Sequence, residues 1–217
     1  MKPLQWLRLC LHDLIYRNRI RVKDGNMLEV GFAERLRMKK VDIHLRGKGN
    51  RLVIGRGTMV ACCKIRVDGA NQTLRIGEDC IYHAGKIYLR YNSDQHIYIG
   101  NKTTVEDAYL LTDEDASIEI GEDCMFSKLV HIRAGDGHSV LDAESGKRIN
   151  HSRDIVLGDR VWLGRGACIL KGAEIASDSI VGAYAVVTRQ YRESGCAIAG
   201  NPAVIVKKGV KWDRRML

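Results

Sequence analysis

Residues 154–188 read DIVLGDRVWLGRGACILKGAEIASDSIVGAYAVVT. Within them Leu157, Leu163, Ile169, Ile175, Val181 and Val187 recur every six residues without a break. Four positions after each of the first five stand Val161, Ala167, Ala173, Ser179 and Ala185, all small or β-branched. A period of six fits neither the helical repeat nor strand alternation. It fits short strands that each send one aliphatic side chain inward, with a small residue where the chain turns to the next face. Three such hexads close a triangular coil of about 18 residues, and stacked coils build a parallel β-helix.

Upstream the repeat is longer. Aliphatic-glycine pairs fall at Val30-Gly31, Ile54-Gly55, Ile76-Gly77, Ile99-Gly100 and Ile120-Gly121, at intervals of 24, 22, 23 and 21 residues. RLVIGRGTMV, TLRIGEDCIY, HIYIGNKTTV and SIEIGEDCMF align without a gap. Ile120, Phe126 and Ile132 keep the hexad, as do Ile99, Val105 and Leu111. Each early coil is therefore expected to carry a small excursion at one corner. Cys80 and Cys124 take the small inward position and read as buried hydrophobes rather than reactive thiols.

Composition agrees with such a solenoid. The 217 residues are 45% hydrophobic, with 22 glycines against two prolines and two phenylalanines. A formal net charge of +9 favours anionic partners. The basic residues are spread along the chain without a nucleic-acid-binding motif, so no nucleic acid partner is expected. Seven cysteines with no CxxC pair argue for reduced thiols in the cytoplasm and against a structural zinc. Leu4, Leu7, Leu11 and Leu14 have helical spacing and precede Arg17, Arg19, Arg21 and Lys23. Arg8, His12 and Asp13 interrupt the apolar run, which is therefore neither a signal peptide nor a membrane span. The chain divides into a basic amphipathic helix over 1–25, a β-helix over 26–206 with a loop at 133–154, and a basic tail over 207–217. The helix packs on the main domain or a neighbouring subunit, or else rests on an anionic membrane.

The hexad register runs to Ile132 and resumes at Leu157, a gap of 25 residues that is not a multiple of six. The segment AGDGHSVLDAESGKRINHSRD is polar and aperiodic, so it leaves the stack as a loop, where rigid scaffolds commonly carry function. It holds Asp136, His138, Asp142, Arg148, Asn150 and His151. Trp162 precedes inward-facing Leu163 and so faces outward, an informative position for a large aromatic. His131 falls within an apolar strand and reads as structural.

The run GDGHSVLD, the hexads of 154–188 and the closing CAIAGNPAVIVK together resemble the hexapeptide-repeat acyltransferases, in particular the polysaccharide O-acetyltransferases; GKRINHSRD and VKWDRRM extend the likeness. The resemblance covers about residues 118 to 216. It implies a left-handed β-helix and a homotrimer with active sites between subunits. It implies acetyl-CoA as co-substrate, no metal, and a glycan or lipid-linked glycan acceptor. His138 takes the position of the loop histidine that deprotonates the acceptor hydroxyl. Asp136, Asp142 or a backbone carbonyl would fix its tautomer, and a backbone N–H or the Trp162 indole would meet the oxyanion. The cofactor side is expected at Trp162, Gly164, Arg165, Gly182, Ala183, Tyr184, Thr188, Arg189 and Lys207, and the acceptor side at Arg148, Asn150 and His151. The expected place of work is the cytoplasm, peripheral on the inner membrane face if the helix binds lipid. The alternatives are N-acetylation of a nucleotide-linked amino sugar, a zinc carbonic anhydrase built on the same coil, and a non-catalytic β-helix scaffold.

Overall fold

The computed structural model describes residues 3–217. They form a three-sided parallel β-helix of about eight coils, left-handed like the solenoids it matches. Each face is one eight-stranded sheet. Face one runs from Arg19–Val22 through Cys63–Val67 and Val130–Arg133 to Val186–Val187. Face two runs from Met27–Val30 to Gln190–Tyr191, and face three from Met59–Val60 to Cys196–Gly200. The chain visits face one, then two, then three. Among the described residues no helix is long and apolar enough to cross a membrane.

The hexad aliphatics stack as inward ladders. On face two Ile54, Ile76, Ile99, Ile120, Leu157 and Ile175 lie in register. On face three Val60, Tyr82, Val105, Phe126, Leu163, Val181 and Ile198 do the same. These side chains are almost entirely buried and form one continuous core. The aliphatic-glycine pairs have a steric cause: a Cβ on Gly100 would lie 2.5 Å from the carbonyl carbon of Gly121 in the next coil. Cys80 and Cys124 are buried as expected, and burial pushes the Cys124 thiol up to about 12.

On face one the register differs from the hexad reading by one residue. Leu110, not Leu111, pairs with Ile132 in the inward ladder. The link from face three to face one is five residues in early coils, as in Tyr82 to Ile87, and six in later ones, as in Phe126 to Ile132. The excess length of the early coils lies instead at the corner between faces one and two, over 68–72, 90–95 and 113–117. These excursions stack, with parallel bridges Lys48↔Ala70 and Ala70↔Ser93. A buried amide ladder closes them: the Asn50 side chain donates to Gly69 O at 2.9 Å, and Gln72 Nε2 donates to Gln95 Oε1 at 2.8 Å. Buried polar groups satisfied in this way fix the corner's conformation.

The two ends depart from the expected boundaries. Met1 and Lys2 of the expected N-terminal helix lie outside the described residues. The helix covers Pro3–Ile15, and Arg19 and Arg21 belong to the first strand of face one rather than to the helix. It docks by its polar side: Asp13 pairs with Arg35 at 2.5 Å and accepts a hydrogen bond from Asn18 at 3.0 Å, and His12 is buried. Leu4, Leu7, Leu11 and Leu14 each remain more than half exposed, so the leucine stripe does not pack on its own solenoid. At the other end, Ala203–Lys208 folds back antiparallel on Cys196–Gly200. Residues beyond it are not a free tail. The Trp212 indole donates to Arg160 O at 2.6 Å, and Arg214 reaches Asp123 at 3.0 Å and Thr104 at 2.7 Å, strapping the terminus down face three.

Candidate active site

The long loop leaves the corner between faces one and two directly after Arg133, the last residue of its strand. Its tip is a small hairpin in which Ile149 N donates to Val140 O at 2.9 Å and Asp142 N to Lys147 O at 2.8 Å. Asp142 sits at that tip and caps the turn by accepting from Ser145 N at 2.8 Å, away from any role at an imidazole. The base is closed by Arg153 N donating to Ala134 O at 3.0 Å.

Asn150 is the knot of the loop. It is buried, its amide donates to Asp136 at 2.8 Å and to His138 O at 2.7 Å, and its oxygen accepts from Val140 N at 2.7 Å. Lys171, from the next coil, donates to Asp136 at 2.5 Å and to Asn150 O at 3.0 Å. Burial works against the Asp136 charge, but the Lys171 ammonium and the Asn150 amide hold its carboxyl below the usual range. Asp136 and Asn150 therefore hold the His138 backbone in place, and the hydrogen bonds of Asp136 go to Asn150 and Lys171 rather than to the imidazole. Gly137 has φ +79, in the left-handed region that favours glycine, and a Cβ there would push the Arg133 guanidinium aside.

The His138 side chain is exposed and faces a pocket of about 280 Å³, lined also by Tyr91, Asn92, Asp113, Glu114 and Arg148. Arg148 is ion-paired with Glu114, which also accepts from Ser152 N at 3.0 Å. That backbone bond, together with Arg148, keeps the Glu114 carboxyl ionised below its usual range despite some burial. Asp113 is the opposite case. Only 5% exposed, it has no hydrogen-bond partner on either carboxylate oxygen. Burial raises its carboxyl above the usual range, against the nearby charges of Arg90 and Arg133. A buried, unsatisfied acid in a cleft beside a histidine is a functional candidate that the sequence pattern did not mark. His151 follows the knot and is exposed.

Most of the expected cofactor-side residues lie elsewhere, Thr188 and Arg189 being at the loop's own corner, farther along the stack. Trp162 is on face three, half-buried, its ring 6.2 Å from that of Trp212 and its indole N–H without a partner. Gly164, Arg165, Gly182, Ala183 and Tyr184 sit at the corner between faces three and one. A Cβ on Gly164 would come within 2.8 Å of Ala183 N. Arg165, Ala183 and Tyr184 are exposed there. Thr188 and Arg189 are at the corner between faces one and two, with Arg189 tied to Ala203 O at 3.2 Å, and Lys207 lies on the returning strand. His131 is on a face-one strand as expected, 4.9 Å from Tyr109, and burial pushes its imidazole down. In a triangular prism the corner bearing His138 is opposite the face bearing Trp162, and one chain does not bring the two together.

The bacterial transferase hexapeptide (six repeats) family model matches residues 154–189. A polysialic acid O-acetyltransferase of Neisseria meningitidis is 38% identical over 170 residues, 78% of each chain. The chain is a hexapeptide-repeat acetyltransferase. Among solved structures of this family, the polySia-specific acetyltransferase NeuO superposes with a TM-score of 0.79 at 32% identity, covering 88% of this chain and 86% of that one. The polysialic acid O-acetyltransferase OatWY gives 0.75 at 31% identity, covering 92% and 89%. Family membership answers the scaffold and carbonic anhydrase alternatives, since the likeness is to acyl-transfer enzymes along most of the chain.

Proposed function

We propose that this acetyltransferase moves an acetyl group from acetyl-CoA to a hydroxyl of a bacterial surface polysaccharide, with His138 as general base. The observation that carries the reading is an exposed imidazole on a loop locked by Asn150, Asp136 and Lys171, facing a pocket lined by Asp113 and Arg148. The imidazole takes the proton of the acceptor hydroxyl as its oxygen bonds to the thioester carbonyl carbon. The oxyanion is met by a hydrogen-bond donor, for which the unpartnered Trp162 indole is suited. When the tetrahedral intermediate collapses, the carbon–sulfur bond breaks, and the imidazolium returns the proton to the CoA sulfur. Arg148, Asn150 and His151 form the acceptor side. The small corner residues Gly164, Gly182 and Ala183, with Arg165, Tyr184, Thr188, Arg189 and Lys207, form the side where CoA lies. Neither half requires a metal.

Because His138 and Trp162 lie on opposite sides of the prism, the working site joins the loop of one subunit to face three of a neighbour in a homotrimer. The enzyme works in the cytoplasm, where acetyl-CoA is made. Its exposed leucine stripe and the basic strand beside it suit contact with the inner membrane surface. His138→Ala should lower turnover by roughly 100-fold or more while leaving acetyl-CoA affinity, measured by calorimetry, nearly intact. Near-normal turnover would refute the assignment.

A further inference from the structure

The outer surface of face one is not neutral. Arg21, His44, Arg66 and Tyr88 lie in register on successive strands. Lys23, Arg46, Asp68, Arg90 and Asp113 stack beside them, each backbone N–H of the first four donating to the coil above at 2.8 to 3.2 Å. Three hollows follow one another along these two columns. The first is lined by Arg21, Lys23, His44 and Arg46. The second is lined by Arg46, Arg66, Asp68, Tyr88, Arg90 and Tyr91. The third is the His138 pocket, which also contains Tyr91. Arg46 is thus common to the first two hollows and Tyr91 to the last two, so the depression is continuous from the N-terminal coil to the catalytic loop.

From this continuity we infer that face one is a binding track for an extended anionic polysaccharide, which feeds one sugar at a time to His138. This rests on the O-acetyltransferase reading above and specifies its acceptor. Five permanently basic side chains line the track. Carboxylates temper them: Asp42, bound to Arg66 at 2.5 Å, Asp68, 3.8 Å from Arg46, and at the catalytic end Asp113, with Glu114 paired to Arg148. The excess is felt locally. Burial, then the charges of Arg46, Arg66 and Arg21, drive the His44 imidazole below its ordinary value. Two tyrosines, Tyr88 and Tyr91, join the charges at the end of the track nearest the loop. The Arg90 guanidinium lies 5.1 Å over the Tyr88 ring, and Tyr91 is 76% exposed at the mouth of the catalytic pocket. Successive strands are about 4.8 Å apart, so the path from Lys23 to Asp113 spans about 19 Å. That is the reach of an oligosaccharide, not of one sugar. A nucleotide sugar would leave the first two hollows empty.

The test uses acetyl-CoA with two acceptors, polysialic acid and the dimer of the same sugar. Arg21→Glu and Arg46→Glu are compared with Arg75→Glu, an equal charge change exposed on face two. The track variants should raise the polymer KM about tenfold, with kcat and the dimer KM unmoved and the salt dependence of the polymer KM reduced. Arg75→Glu should resemble wild type. Transfer by wild type with equal KM for dimer and polymer, or track variants that behave as wild type, would overturn the track and leave the acetyl-transfer reading standing. An equal loss in Arg75→Glu would reduce the effect to net charge and overturn it too. So would dissociation of the oligomer in the track variants, or retention of wild type by anionic vesicles but not by polymer. Wild type that acetylates neither carboxylated acceptor would overturn the acceptor reading and the track with it.

Discussion

Asp113 is the residue with the most to lose by staying where it is. It keeps an unsatisfied carboxyl in a buried place, and burial raises its proton affinity. A group whose folded value is raised costs the fold stability as pH climbs from the unfolded carboxylate range near 3.9 through the folded value. Above the folded value that cost is present in full; below about pH 3.9 it vanishes. Asp113→Asn should therefore melt at the same temperature as wild type or higher at pH 7, with the difference closing in acid. Turnover should fall at least tenfold, with the acetyl-CoA KM kept. A variant that loses stability and activity together would make Asp113 a structural residue only. The hexad pattern placed His138 in a loop that leaves the stack, and only the resemblance of GDGHSVLD to the acyltransferase family singled it out as the base. The sequence did not mark Asp113 or Lys171. Lys171 reaches Asp136 across 35 residues of chain, and that proximity exists only once the coils have stacked. Asn150, assigned to the acceptor side, also holds the loop together through its side-chain bonds to Asp136, His138 O and Val140 N, which its position in the sequence did not reveal.

At the scale of elements, the hexads of 154–188 were readable because each corner there has one length. Leu111 was misread for Leu110 because the early corners are a residue shorter, which a fixed period cannot represent. The N-terminal helix was placed correctly in sequence, but its length was overdrawn, since the basic residues after Arg17 continue as a strand. Its leucine stripe has no cover among the described residues. If that stripe and Arg17 and Arg19 meet lipid, each basic residue contributes about 1 kcal/mol at an anionic surface. Leu7→Ser with Leu11→Ser should abolish salt-sensitive co-sedimentation with anionic vesicles while leaving the melting curve unchanged, because both side chains are already about half exposed. A lowered melting temperature or a smaller assembly, without prior vesicle binding by wild type, would instead place the stripe against a neighbouring subunit.

The whole molecule separates the loop histidine at one corner from Trp162 on the opposite face; the hexads say nothing of a neighbour that would bring the two together, and only the family resemblance implies one. This division makes a direct prediction. His138→Ala and Trp162→Ala should each be nearly inactive as pure trimers. Refolded together in equal amounts, they should regain about a quarter of wild-type activity, because that share of interfaces pairs an intact loop with an intact face. No regain in mixed trimers verified by light scattering would put both residues to work within one chain. The solenoid has a further property that follows from its final strand. A stack of parallel strands is an open template at each end, and nothing in the hexad itself says how many coils to make. Here Ala203–Lys208 reverses direction and occupies the free edge of face three. The returning strand is thus a stopper as well as a wall. Without it, one molecule's last coil would be a landing site for the next molecule's first, and the enzyme would share its edge chemistry with a growing fibre.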